Sequence, residues 1–125
     1  MSNYLISNAM NRRIEKGIKE VDAATAYEKI KNGAILMDVR EWEEIEQVAF
    51  DVENTLVMPI SEFGARLDEI PRDVEVIIGC RSGSRSFQVT WVLSEQNFDN
   101  VINLKNGIIN WAQSGLPIKV RETAK

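Results

Sequence analysis

The stretch "VEVIIGCRSGSRSFQ" (residues 74–88) changes character at its middle, and that change decides the architecture. Residues 74–79 are apolar except for Glu75 and end in a glycine, the pattern of a strand buried on both faces. Residues 86–98, "SFQVTWVLSEQNF", then place apolar side chains at helical spacing, which predicts an amphipathic helix. Between the two lies the sole cysteine of the chain, Cys80, followed by Arg81, Ser82, Gly83, Ser84 and Arg85. A buried strand feeding a helix through a tight glycine-containing loop is half of a parallel βαβ unit, and ligands of such sheets bind beyond the carboxyl ends of the strands. Cys80 stands at that end.

The same alternation continues in both directions. "VDAATAYEKIKNG" (21–33) has Asp22 as an N-cap, Ala23, Ala26, Tyr27 and Ile30 on one face and a stop at Asn32–Gly33. "AILMDV" (34–39) predicts a strand ending in Asp38, and "REWEEIEQ" one or two helical turns. "NTLVMPI" (54–60) reads as a short strand and "SEFGARLDEI" (61–70) as a helix opened by Ser61 and closed before Pro71. "NVINL" (100–104) predicts a strand and "GIINWAQSG" (107–115) a last helix. Strands alternating with helices imply an α/β fold with a mainly parallel central sheet and helices on both faces. Trp42, Trp91 and Trp111 fall on helical faces and read as core, and the acidic "REWEEIE" reads as a solvated face.

Composition bounds the function. With 125 residues, 44% hydrophobic and 27% charged, the chain has the size and make-up of one compact domain. We expect a domain over 19–120, an N-terminal extension over 1–18 and a short tail over 121–125; "SNA" ahead of Met10 reads equally as a cloning scar or as native sequence. A net charge of −4 argues against a nucleic-acid or anionic-membrane partner. No apolar stretch approaches a membrane span and no signal-peptide layout opens the chain, so the expected location is cytoplasmic. The absence of histidine excludes a Cys–His nucleophile pair and a histidine-ligated metal.

Two readings of Cys80 stand side by side. A lone cysteine after four apolar residues is most often inert core filler. Yet a thiol beside two arginines, a turn-forming glycine and a helix start has what lowers its pKa and makes it a nucleophile: fixed positive charge, converging backbone amides and the helix dipole. Two arginines straddling a glycine would build a poor core, which favours the second reading. Asp38 and Arg40 reach the same end of the sheet, either as a structural ion pair tying loops together or as groups facing a substrate.

Three motifs in order resemble the rhodanese-like sulfurtransferases of the single-domain type: "ILMDVREWEE", "CRSGSRS" and "FDNVINLKNGIINWAQSGLPI", covering roughly residues 20–118. The resemblance implies that Cys80 takes a sulfane sulfur from an anionic donor such as thiosulfate. The sulfur is then held as a persulfide among the amides of residues 81–85 and passed to a thiol or cyanide-like acceptor, with a sulfur-carrier protein as a further candidate partner. It implies no metal and no organic cofactor. This chain departs from the family pattern over residues 45–60, where "IEQVAFDVENTLVMPI" replaces a Gly-His-Ile segment at the rim of the site, and at Asn106, where a second glycine is common. Two other functions are open on this fold. Cysteine phosphatases and arsenate reductases need five residues between cysteine and arginine, against four here between Cys80 and Arg85, and a non-catalytic binding module would leave the thiol unused.

Overall fold

The computed structural model describes residues 17–121. The expected extension over 1–18 lies outside the described residues except for its last two positions, and the tail except for Arg121. The elements run β1 (Glu20–Val21), α1 (Ala23–Lys31), β2 (Ile35–Asp38), α2 (Trp42–Gln47), β3 (Val48–Phe50), β4 (Thr55–Val57), α3 (Ile60–Phe63), a 3-10 turn (Leu67–Glu69), β5 (Val76–Gly79), α4 (Ser84–Glu95), β6 (Val101–Leu104), α5 (Gly107–Gln113) and β7 (Ile118–Val120). The central sheet has five strands in the order β1-β6-β5-β2-β4, and every pairing in it is parallel. A separate antiparallel pair joins β3 to β7.

Both faces of the sheet are buried, as the continuous apolar runs require. On one face Leu36, Ile77, Ile102 and Leu104 pack with Ala26 and Ile30 of α1 and with Ile108 and Trp111 of α5. On the other, Met37, Val76 and Ile78 pack with Val89 and Leu93 of α4, and Cys80 belongs to this second cluster. Alternate residues along β2 and β5 thus feed opposite layers. The Asp22 carboxylate accepts the Thr25 amide at 2.8 Å and caps α1, while Gly33 at φ +111° carries the chain out of it.

Several local expectations change. The segment 61–70 is not one helix. Pro59 precedes a four-residue helix, and Gly64 separates it from the 3-10 turn, which Arg66 braces through Glu62 at 2.7 Å and Glu69 at 2.7 Å. Ser61 does not open the helix; its hydroxyl donates instead to Glu41 at 2.6 Å. Helix α4 begins at Ser84, two residues earlier than its apolar periodicity indicates, because the left-handed Gly83 already turns the chain into it. Trp111 is core, fully buried edge-on to Tyr27 and Phe50. Trp42 is not: it is 47% exposed, its indole N–H donating to Glu62 at 3.0 Å.

Candidate functional site

Strands β2 and β5 lie side by side with Asp38 opposite Gly79, so the two motifs at their carboxyl ends meet. The Val39 amide donates to the Gly79 carbonyl at 3.0 Å, and the next residues on the two strands are Arg40 and Cys80. Cys80 is buried, 1% exposed. Its Sγ accepts the Gly83 amide at 3.1 Å and the Ser86 hydroxyl at 3.3 Å, where α4 begins. Burial pushes the thiol pKa up. The Ser86 hydroxyl and the amides of Ser86, Gly83 and Ser82 oppose that, and together they hold the thiol below its ordinary value. Hydrogen bonds to the charged form outweigh desolvation here, so the thiolate is favoured.

The loop is braced from behind by α5. The amides of Ile108 and Ile109 donate to the carbonyls of Cys80 at 2.9 Å and Arg81 at 3.2 Å. This approach leaves no room for a side chain at Gly107, where a Cβ would lie 2.3 Å from the Arg81 oxygen. Gly107 and Asn106 both hold positive φ, at +61° and +66°, so the backbone at Asn106 keeps a glycine-like conformation that asparagine tolerates. Gly83, at φ +104°, faces the Asn106 amide nitrogen, which a Cβ there would approach to 2.9 Å. The Asn103 side-chain amide reaches the Gly83 carbonyl at 3.4 Å.

The three arginines have different surroundings. Arg40 and Asp38, each 2% exposed, form a buried fork through Nε–Oδ1 at 3.1 Å and Nη2–Oδ2 at 2.8 Å. Of the two readings of these residues, the ion pair is therefore the arrangement present. Arg85 reaches back to α2, where both its terminal nitrogens donate to Glu44 at 2.7 Å. The Arg85 guanidinium holds the Glu44 carboxyl down to about 2, against burial, with the Glu41 amide assisting at 3.1 Å. Arg81 is exposed and, among the described residues, forms no ion pair. Ser82 and Ser84 are exposed as well, supplying backbone rather than side chains to the loop.

The acidic "REWEEIE" segment is thus only in part a solvated face. Glu44 clamps the loop arginine, and Glu41 accepts from the Ser61 hydroxyl and amide. Sequence reading missed Glu44 and gave Ser86 no role beyond its small size. The available signal for Glu44 was its place one helical turn beyond Arg40, on the element that follows the strand next to β5. A groove of about 470 Å³ opens beside the loop, lined by Arg40, Glu44, Gln47, Val48, Arg81, Ile108, Ile109 and Ala112.

The comparisons agree with this geometry. Residues 22–114 match the model of the rhodanese-like domain. A sulfurtransferase of Allochromatium vinosum is 36% identical over 107 residues, spanning 84% of this chain and 98% of that one. The thiosulfate sulfurtransferase GlpE of Actinobacillus pleuropneumoniae is 35% identical, over 80% of this chain and 92% of its own. The crystal structure of a rhodanese-related protein from Thermoplasma volcanium superposes with a TM-score of 0.71 at 30% identity, covering 83% of this chain and 99% of that one. The chain belongs to the rhodanese-like family and is an enzyme of the sulfurtransferase kind.

Proposed function

We propose that this protein moves a sulfane sulfur from an anionic donor such as thiosulfate to a thiophilic acceptor through a persulfide on Cys80. The observation that carries the reading is the Sγ of Cys80, buried yet held toward the thiolate by the Gly83 amide and the Ser86 hydroxyl. In the first half-reaction the thiolate attacks the outer sulfur of thiosulfate. The S–S bond of the donor breaks, sulfite leaves with the electron pair, and Cys80 carries the persulfide anion. In the second, a thiolate or cyanide attacks the terminal sulfur and restores the Cys80 thiolate. Arg81 attracts the donor, the amides of the 81–85 loop hold the added sulfur, Arg85 fixes the loop through Glu44, and the Asp38–Arg40 pair supports its base. The acceptor is a small thiol or a sulfur-carrier protein, and the free thiol suits the reducing cytoplasm.

Arg85 also bears on the phosphatase alternative. Its guanidinium is engaged bidentately by Glu44 and separated from Cys80 by four residues, which favours a ring sized for one sulfur over one sized for a tetrahedral oxyanion. The test is intact-mass measurement after thiosulfate treatment. One sulfur atom should add to the wild type, cyanide should remove it, Cys80→Ser should show neither, and Arg81→Ala should load more slowly. No cyanide-labile sulfur on the wild type, or tight arsenate binding by it, overturns the reading.

A further inference from the structure

Strand β6 holds one polar residue, Asn103, among Val101, Ile102 and Leu104, and all four are buried. By the alternation of a strand, Asn103 shares the sheet face of Val101, the face that α4 covers. Its Nδ2 donates to the Glu20 carboxylate on β1 at 2.8 Å and reaches the Gly83 carbonyl at 3.4 Å. Its Oδ1 is buried without a hydrogen-bond partner among the described residues. Turning the amide over gives no relief, because both groups facing Nδ2 are acceptors. A leucine has the same branched outline and would strand no polar atom of its own, and Glu20 is exposed, so water would satisfy its carboxylate. Stability therefore gives little reason for an asparagine here, whereas its placement beside Gly83 gives one. Gly83 donates its amide to Cys80 Sγ at 3.1 Å, accepts the Phe87 amide through its carbonyl at 3.1 Å and holds φ at +104°. Lacking a side chain, it has its backbone groups to fix its orientation.

We propose that Asn103 is a positioning residue for sulfur transfer: Glu20 holds its side-chain amide from the edge strand, the amide holds the Gly83 carbonyl, and Gly83 is thereby kept with its N–H aimed at Cys80 Sγ. At 3.4 Å the contact with Gly83 is long for a hydrogen bond, so it acts on orientation more than on energy. The amide and the carbonyl of Gly83 flank a single Cα, and rotation about its φ or ψ moves one against the other. Fixing the carbonyl restricts the swing that would carry the amide off the sulfur. That amide favours the Cys80 thiolate both before attack on a donor and when the thiolate is restored by the acceptor, so Asn103 bears on both half-reactions without touching sulfur. The role rests on the reading of Cys80 as the nucleophile, and it adds β1 and β6 to the parts that shape the site.

The experiment compares Asn103→Leu and Glu20→Ala with the wild type by the pH midpoint of Cys80 alkylation with iodoacetamide, by thiosulfate loading read as intact mass, and by urea denaturation. In Asn103→Leu the alkylation midpoint should rise by about half a pH unit, and loading below that midpoint should slow about threefold, because a hydrogen bond to the charged form is loosened. The urea midpoint should stay close to that of the wild type. Glu20→Ala should move the alkylation midpoint in the same direction by less; loss of a carboxylate alone would lower it, so a rise reports the lost anchor. The charged groups around the thiol, Arg81 and the Arg85–Glu44 and Arg40–Asp38 pairs, are intact in both variants. An alkylation midpoint unmoved in folded Asn103→Leu, with or without a loss of stability, overturns the inference. Should Asn103→Leu not fold, an unmoved or lowered midpoint in Glu20→Ala, a change at an exposed position, overturns it. Alkylation needs no donor, so this failure is distinct from that of the persulfide reading, which fails if the wild type carries no cyanide-labile sulfur after thiosulfate treatment.

Discussion

Replacing Glu44 with glutamine keeps the shape of the clamp on Arg85 and removes its charge. Both Arg85 nitrogens sit 2.7 Å from the carboxylate, and the carboxyl is held down to about 2 from an ordinary 4.5. At about 1.4 kcal/mol per pH unit, that gap corresponds to about 3 kcal/mol gross. Both side chains are about one-third exposed, 34% and 32%, and solvent screening leaves on the order of 1 kcal/mol. Because the folded-state pKa is depressed, this stabilisation is complete above pH 4.5 and is lost as pH falls toward 2. Glu44→Gln should therefore lower stability by about 1 kcal/mol at pH 7, a drop in Tm of roughly 4 °C. The difference from wild type should shrink steadily between pH 4.5 and 3. Urea denaturation of both proteins at pH 7, 5, 4 and 3 measures it, and subtraction cancels the other carboxylates. A difference constant from pH 7 to 3, or none at pH 7, refutes the clamp. Thiosulfate loading should also slow, since Arg85 leads the loop into α4.

Three further outcomes follow from the same geometry. Ser86→Ala removes the hydroxyl on Sγ, so the pH midpoint of Cys80 alkylation by iodoacetamide should rise; an unmoved midpoint removes Ser86 from thiolate stabilisation. Gly107→Ala forces a Cβ to within 2.3 Å of the Arg81 carbonyl oxygen at φ +61° and should cost more than about 2 kcal/mol in chemical denaturation, whereas a cost below about 1 kcal/mol means the loop and α5 part easily. Asp38→Ala strands the buried Arg40 guanidinium and should cost about 3–5 kcal/mol; near-neutral stability would show that water reaches Arg40.

The sheet and the position of the thiol are legible in the sequence because each rests on a local signal. The apolar runs ending at Asp38, Gly79 and Leu104 announce buried parallel strands, and the helix caps and periodicities fix α1 and α5 to within a few residues. What escapes depends on contacts distant in sequence. The strands β1, β3 and β7 have only two or three residues each, too few for a period, and β3 exists because β7 pairs with it some seventy residues later. Glu44 looks like any surface glutamate until Arg85, 41 positions away, closes on it. Trp42 lies on a six-residue helix with no buried residue, so its bulk says nothing about which way it faces. Asn106 reads as a departure in sequence, yet it keeps the left-handed backbone that the loop-to-α5 junction needs.

The arrangement also reconciles a chain of net charge −4 with the anionic donor proposed for its site. Three arginines surround the thiol, but Arg40 and Arg85 each face a carboxylate at 2.8 and 2.7 Å, so their charges are spent on shape. Stabilisation of the sulfur anion falls to short-range dipoles, the Gly83 amide and the Ser86 hydroxyl at the start of α4, which act in a dry site where salt screens weakly. In the proposed reaction, recruitment of a donor from solvent is the part given to Arg81, whose exposed charge acts within about 10 Å at ordinary ionic strength. The proposed reaction thereby gives holding and attracting to different groups. The proposed function therefore predicts that a change at Arg81 alters which anions arrive and a change at Ser86 alters what Cys80 can do once they have arrived, with the Glu44–Arg85 clamp joining α2 to the loop between them.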